Sequence, residues 1–341
     1  MIKKEEIKNI LVTRTDNLGD MILTLPLINE IRRLFPGAGI FFMIKNYTSL
    51  LLKDYPGING LIIADDFKGM SEKIKCFKKN KIDLAINVKP EFDLALAFFL
   101  SGIKYRIGTA YRWYSFLYNL KVHEHRKYSV KHESEYNLNL LKTFFDETKI
   151  ENKFHFSYSE EEKNSTNKKI SGLLDKKYVI IHPGSRGSAR DLPLSKMAEF
   201  TDKILKEFPD YEVVLTGTNE DRHSTEFLFR KSENDYKNRL NDLTGRLDLK
   251  ELMILIDNSK LFVSNSTGPI HIAGALNKNI IGFYPNNKIM SEVRWKPLSS
   301  NAVILKPPSG SDDMSEIKPD EFLKSAEKFL KNSGTINLHS S

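Results

Sequence analysis

The sequence predicts an α/β protein made of two consecutive parallel-sheet domains. Three observations carry that expectation. A chain of 341 residues exceeds what one hydrophobic core usually serves. Short apolar runs alternate with amphipathic stretches, the pattern of β-α-β units whose helices cover both faces of a parallel sheet. That alternation stalls once, in the polar, lysine-rich stretch 157–171 (SYSEEEKNSTNKKIS), and then starts again.

Taken in order, 9–13 (NILVT) reads as a buried strand, and 20–34 has helical spacing that Pro36-Gly37 stops. Further strands are expected at 39–44, 61–64 and 82–88. The stretch 157–171 reads as a linker with a lead-in helix. The second series has strands at 178–182, 211–216, 261–264 and 279–283, and helices at 195–208, 220–230, 249–258 and 269–276. From Ser309 the chain reads as loop, followed by a last helix. The expected domains are therefore 1–165 and 170–318, with 319–332 as a separate C-terminal helix. Two such domains imply a cleft in which the carboxyl ends of both sheets face one ligand.

Composition narrows the class. With 40% hydrophobic and 28% charged residues the chain can bury a real core, which excludes a disordered protein. The net charge is +8, and residues 1–150 carry +7 of it, so one half suits an anionic neighbour. Cys76 is the lone cysteine and forms no internal disulfide, which fits a reducing cytoplasm. The start, Met1-Ile2-Lys3-Lys4-Glu5-Glu6, lacks the apolar run of a signal peptide. The longest uncharged stretch, 261–277, is too polar for a membrane span, so a soluble protein is expected that touches a membrane only at a surface. There is no G-x-G-x-x-G after a strand, no P-loop and no D-x-D pair, which excludes the motif-defined dinucleotide, P-loop and metal-clamp chemistries. His123 and His125 read as a surface pair, and no metal site is expected.

Three segments can carry chemistry. In Arg14-Thr15-Asp16-Asn17-Leu18-Gly19-Asp20, Gly19 permits a tight turn and Asp20 falls at a helix start, beyond the carboxyl end of the first strand. Asp20 is either an N-cap or a general base. The loop His182-Pro183-Gly184-Ser185-Arg186-Gly187-Ser188-Ala189-Arg190 offers backbone amides and guanidinium groups to phosphate oxygens, or is plain surface loop. In Ser264-Asn265-Ser266-Thr267-Gly268-Pro269-Ile270-His271 a helix opens on Pro269. Its free amides, the Ser266 and Thr267 hydroxyls and the bare Gly268 make an anion site, or an ordinary cap. His271 is either a phosphate donor or a packed core histidine.

These segments together resemble a known family. The run from Ile10 to Pro26 (ILVTRTDNLGDMILTLP) is similar to the opening of family 9 glycosyltransferases, the ADP-heptose:lipopolysaccharide heptosyltransferases and their relatives. The resemblance continues through Gly102-Ile103-Lys104-Tyr105-Arg106-Ile107-Gly108, Ile181-His182-Pro183-Gly184-Ser185, Val214-Leu215-Thr216-Gly217 and Leu243-Thr244-Gly245. It ends with Ser266-Thr267-Gly268-Pro269-Ile270-His271 and Trp295-Lys296-Pro297. The resemblance implies a GT-B fold, two facing Rossmann-like domains with donor nucleotide mainly on the second. It also implies inverting sugar transfer without a metal or other cofactor. By position it makes Asp20 the catalytic base. It makes Ser185, Arg190, Thr216, Gly217, Glu220, Leu247, Ser266, Thr267, Gly268 and His271 the donor-binding set, with Glu220 at the ribose and Leu247 near the adenine. This chain has Ser266 where the family commonly has Asp, and Leu192 where it has Trp.

Residues 104–131 hold seven Lys/Arg, one acid (Glu124) and seven interleaved aromatics. They read as a face for an anionic lipid or lipid-linked saccharide, with Lys104, Arg106 and Arg112 as acceptor contacts, or as a solvated face over core aromatics. The expected activity is transfer of a sugar, heptose in the family's named reaction, from an ADP-type nucleotide sugar to a lipopolysaccharide-core or related glycolipid. The expected partners are that donor, an anionic glycolipid acceptor and a peripheral contact with anionic membrane on the cytoplasmic side, and no nucleic acid. The rival readings are a nucleotide-sugar epimerase of similar architecture and a non-enzymatic basic module binding lipid or nucleic acid.

Overall fold

The computed structural model describes residues 4–144, 153–185, 187 and 190–331. Arg186, Ser188 and Ala189 of the expected phosphate loop, and Asn332 at the end of the expected last helix, lie outside them. The chain divides into two units, Met1–Ser157 and Tyr158–Ser341.

The first unit holds six strands, all paired in parallel: β1 (Asn9–Thr13), β2 (Gly39–Ile44), β3 (Gly60–Ile63), β4 (Leu84–Asn87), β5 (Tyr105–Thr109) and β6 (Leu120–Val122). Their order across the sheet is β3-β2-β1-β4-β5-β6. Helices α1 (Leu18–Ile22), α2 (Leu25–Leu34), α3 (Met70–Lys79), α4 (Phe92–Leu100) and α5 (Glu133–Leu138) complete it. The second unit begins with α6 (Glu160–Lys169) and holds β7 (Tyr178–His182), β8 (Glu212–Leu215), β9 (Leu240–Asp242), β10 (Leu261–Asn265), β11 (Ile280–Phe283) and β12 (Ala302–Leu305). Its order is β12-β11-β10-β7-β8-β9. Numbered within each unit, both sheets run 3-2-1-4-5-6, the doubly wound dinucleotide-fold order. The remaining helices are α7 (Leu194–Glu207), α8 (Arg222–Lys231), α9 (Leu249–Asn258), α10 (Gly268–Ala275), α11 (Glu292–Trp295) and α12 (Pro319–Leu330).

The central strands read as unbroken apolar runs because helices cover them on both faces. Ile10, Leu11 and Val12 of β1 and every residue of β7 and β10 are buried. The strands at 105–109, 120–122, 240–242 and 302–305 were not expected. β6, β9 and β12 are short or partly solvated, and β5 begins with Tyr-Arg, so no apolar run announces them.

Three expectations are corrected. The helix at 20–34 is two helices, because Pro26 has no N–H to give the carbonyl of Ile22 and the chain restarts at Thr24. The boundary falls at Ser157 rather than 165. Helix α6, closed by a Ser159/Glu162 capping box, belongs to the second unit, where Lys250 pairs with Glu162 and Lys169 with Glu251. The last helix, set apart from the second domain in the expectation, packs into the core of the second unit. Phe322 stacks on Phe200 with ring centroids 4.3 Å apart, and Ala326 is buried beside it.

Candidate functional site

A doubly wound sheet binds ligands beyond the carboxyl ends of its strands, where the strand order reverses. In the first unit that point lies between β1 and β4, and the 14–20 segment leaves β1 there. Asn17 takes the N-cap position of α1 and Asp20 stands in its first turn, so Asp20 is not the cap. Its carboxylate instead meets Arg14.

Arg14 organises this end of the sheet. Its backbone N–H donates to the Met43 carbonyl, while its guanidinium, only 4% exposed, reaches four acceptors. Nε donates to Asp16 at 2.7 Å, Nη2 to Asp20, and Nη1 to Glu133 at 3.0 Å and to Asn137 Oδ1 at 3.4 Å. Glu133 is wholly buried at the start of α5 and accepts a second guanidinium, Arg126, at 2.6 Å. Asn137 then ties α5 back to the Leu23 carbonyl at 3.0 Å. The result is a chain of alternating charge, Arg126–Glu133–Arg14–Asp20, with Asp16 beside it.

Burial pushes the Asp20 carboxyl up to about 6, against the pull of Arg14 and with the help of Asp16 and Glu133. Burial alone would lower Arg14, but the carboxylates of Asp20, Asp16 and Glu133 outweigh it and keep the guanidinium charged. A largely buried carboxylate that titrates near 6 and is held by a fixed cation has the properties of a general base.

In the second unit the corresponding point lies between β7 and β10, and the expected donor residues gather at that edge. Asn265, buried at the end of β10, donates to the Pro183 carbonyl at 2.7 Å and accepts the Leu192 N–H at 2.9 Å, so it clamps both ends of the 183–192 loop. Ser264 Oγ donates to the His182 carbonyl at 3.1 Å and lies 3.0 Å from Thr267 Oγ1. Thr216 pairs with His182 Nδ1 at 3.0 Å. Thr267 is the N-cap of α10, Gly268 and Pro269 open the helix, and His271 is buried one turn in. Tyr284, fully buried after β11, hydrogen-bonds Ser266 and gives its hydroxyl proton to the Trp295 carbonyl at 2.9 Å.

After β8, buried Asp221 accepts the Thr218 N–H at 2.8 Å and the Thr218 hydroxyl at 2.9 Å. It packs so closely on Gly184 and Gly217 that an added Cβ would stand 2.1 Å from its Oδ1 at Gly184 and 2.7 Å from its own Cβ at Gly217. Glycine is therefore required at both positions. Glu220, the acid expected at the ribose, is exposed beside it, and Leu247, in the loop after β9, is half-buried. Ser185 is buried and hydrogen-bonds Asp191, whose carboxyl burial pushes up. Arg190 is largely exposed and pairs with Asp312 at 3.4 Å.

The basic residues expected at the acceptor are separated. Lys104 precedes β5 and pairs with Glu6, and Arg106 donates to the Leu117 carbonyl at 2.8 Å and to that of Ile103. Both lie toward the amino edge of the parallel sheet, away from Asp20, and Arg106 is occupied in bracing the β5–β6 connection. Arg112 follows the carboxyl end of β5, on the same edge as Asp20, and is exposed. Of the seven aromatics in 104–131, Tyr105, Tyr114 and Tyr118 are core, while Tyr111, Trp113, Phe116 and Tyr128 are exposed. Among the described residues no group of three or more His, Cys, Asp or Glu is arranged to hold a metal ion. Sequence reasoning missed Arg14, Glu133, Arg126, Asn265 and Asp221. Arg14, Asn265 and Asp221 stand in or beside quoted motifs, but nothing in the sequence ties Glu133 to a residue more than a hundred positions away.

Two sheets of this order, one ending in a largely buried carboxylate and the other in glycine-, serine- and threonine-rich loops, have the GT-B fold. The model of glycosyltransferase family 9 (heptosyltransferase) matches residues 72–319, and the chain belongs to that family. It is 30% identical to a glycosyltransferase-type protein of Haemophilus influenzae, over 95% of this chain and 97% of that one. It is 26% identical to lipopolysaccharide heptosyltransferase 3 of Escherichia coli K12, over 84% of each. Its fold matches the solved structure of E. coli ADP-heptose lps heptosyltransferase II with a TM-score of 0.81 at 22% identity, covering 95% of this chain and 99% of that one.

Proposed function

We propose that this glycosyltransferase moves a sugar, with inversion, from an ADP-linked donor to a hydroxyl of a lipopolysaccharide-core or related glycolipid. Heptose is the sugar that the named relatives favour. The observation that carries the reading is Asp20: only 14% exposed, poised near 6, fixed by Arg14, and standing at the ligand-binding end of its sheet. Asp20 takes the proton of the acceptor hydroxyl as that oxygen attacks the anomeric carbon. The bond from that carbon to the nucleoside diphosphate breaks in the same displacement. Backbone amides at the start of α10, with His271, Arg190 and the hydroxyls of Ser266 and Thr267, take up the charge on the departing diphosphate. We assign that role to protein groups rather than to a metal. Ser185, Thr216, Gly217, Glu220, Leu247 and Gly268 complete the donor set, and Arg112 is the acceptor contact retained. A glycolipid acceptor places the protein at the inner face of a membrane as a peripheral enzyme, and among the described residues no helix is long and apolar enough to cross one.

The test is Asp20→Asn assayed with ADP-heptose and a heptose-deficient core acceptor. Loss of a general base lowers turnover about 10²- to 10⁴-fold, with donor affinity by calorimetry unchanged. A folded Asp20→Asn protein that transfers at the wild-type rate refutes the assignment.

A further inference from the structure

The mechanism leaves unused a strip of exposed aromatic side chains on the first unit. Phe92 opens α4 after β4, Tyr111, Trp113 and Phe116 follow β5, and Tyr128 and Val130 follow β6. β4, β5 and β6 are neighbours in a parallel sheet, so Phe92, Tyr111, Trp113, Tyr128 and Val130 follow carboxyl ends, the edge from which Asp20 also projects, while Phe116 lies further along the β5–β6 connection. Trp113 is 73% exposed, and Phe116 and Val130 are each 69% exposed. The rings gather in two groups, joined along the chain through Arg112. Phe92 and Trp113 lie 4.7 Å apart by ring centroid, Tyr111 stacks on His125 at 3.5 Å, and His125 meets Tyr128 at 5.5 Å.

A monomer rarely leaves so many large apolar groups together in water without a use for them. Cations accompany them. Arg112 stands between Tyr111 and Trp113, and the Lys127 ammonium lies over the Tyr128 ring at 5.0 Å. Both are exposed and neither forms an ion pair among the described residues. By contrast the nearest acids are engaged: Glu91 with Lys89, Asp93 with Lys73 and Glu124 with Lys131. Tryptophan and tyrosine rings settle at the headgroup level of a bilayer, and lysine and arginine beside them attract anionic lipid.

We infer that this strip is the surface by which the protein docks on an anionic bilayer, with Trp113 and Phe116 entering the interface and Arg112 and Lys127 meeting lipid phosphates. The inference deepens the glycolipid-acceptor reading and rests on it for its purpose, since docking here turns the edge carrying Asp20 toward the membrane. Nucleic acid would meet the same cations but gives no role to Phe116 and Val130.

Vesicle flotation tests it with the full chain. The wild-type protein floats with phosphatidylcholine vesicles containing about 30% phosphatidylglycerol, at least about tenfold more than with phosphatidylcholine alone, and high salt reverses the difference. Its tryptophan emission shifts to the blue on binding, and Trp113→Phe abolishes the shift while Trp295 remains. Trp113→Ala with Phe116→Ser lowers flotation by about tenfold with an unchanged melting temperature, because both side chains are exposed. Asp20→Asn floats as the wild type does. Flotation that ignores lipid charge, or is kept in full by the double variant, overturns the inference, as does binding to single-stranded DNA in preference to vesicles. A failed flotation with turnover still dependent on Asp20 removes this inference alone. Normal flotation with turnover independent of Asp20 removes the base assignment alone.

Discussion

Removing Arg14 is the sharpest perturbation of the charged chain beneath the site. Arg14→Met keeps much of the side chain's volume and deletes the one cation shared by Asp16, Asp20 and Glu133. At an effective dielectric of about 20, each such contact is worth about 4 kcal/mol of attraction, offset by several kcal/mol of desolvation per ion. Breaking a buried pair from one side typically costs about 3–5 kcal/mol. Two features limit the loss here. Arg126 still serves Glu133 at 2.6 Å, and Asp20, already pushed to about 6, takes up a proton at pH 7 for only about 1.4 kcal/mol. We therefore expect a loss near about 3 kcal/mol at pH 7, read from urea midpoints at constant m-value. The sign with pH follows. Asp20 has a folded pKa above its unfolded value, so its protonation favours the folded state at low pH and that benefit disappears as pH rises through 6. Without Arg14 its carboxyl moves further up, so the deficit of the variant shrinks by pH 5.5 and grows above pH 6. The acid limb of its pH–rate profile moves upward by a unit or more in parallel. A loss below about 1 kcal/mol at pH 7, or a deficit indifferent to pH, refutes the coupling described here.

Glu133→Gln should act in the opposite direction on catalysis: removing a nearby negative charge that helps hold Asp20 up moves the acid limb of the kcat profile to lower pH, measured between pH 5 and 8. Gly184→Ala drives a methyl against Asp221 and should cost about 1–3 kcal/mol by thermal unfolding, with a raised KM for donor and little change in kcat. Asn265→Ala frees both ends of the 183–192 loop and should weaken binding of ADP by calorimetry about tenfold while leaving Asp20-dependent pH behaviour intact. Dialysis against EDTA should leave transfer within about twofold of its starting rate, whereas an obligatory metal would lose orders of magnitude.

The fold was legible because both sheets are wound around strands that must be apolar from end to end. β1, β7 and β10 announce themselves, and the turns after them carry the small and polar residues that the carboxyl edge needs. The flanking strands β6, β9 and β12 are short and partly solvated, so their composition does not separate them from loop. Asp20 was legible for the same reason as β1: it lies one turn beyond a strand end. What its carboxylate does was not, because the cap reading and the base reading need the same residue at nearly the same place. The structure excludes the cap reading by placing Asn17 at the N-cap and the Asp20 carboxylate on Arg14. Glu133 reaches Arg14 across 119 positions, and no local pattern in α5 marks it as facing the first strand. The basic stretch 104–131 failed in a different way. Composition averaged over it three tyrosines of the core, Arg106 bracing a connection, and a set of exposed aromatics with quite different surroundings.

Both units share one strand order, yet they solve different problems at the same topological position. In the first, the turn after the leading strand places charge indoors: two carboxylates and two guanidinium groups surround the proposed base, and burial raises the basicity of Asp20 that solvent would suppress. In the second, the equivalent turns are braced mainly by uncharged side chains. Asn265, Ser264, Thr216 and Thr267 hold backbone against backbone, and buried Asp221 fixes two glycines so that the main chain itself lines the edge. A proton acceptor needs a tuned pKa, which a cluster of charges provides. A diphosphate carries its own charge and needs amides at fixed positions, which rigid neutral loops provide at lower desolvation cost. Part of the +7 excess of the first 150 residues lies away from the first centre, since Lys104 pairs with Glu6 and Arg106 with main-chain carbonyls, while Arg126 belongs to that centre through Glu133. Two of its exposed members, Arg112 and Lys127, sit among exposed rings on the edge that carries Asp20, where an anionic surface rather than a nucleotide is the matching partner we infer.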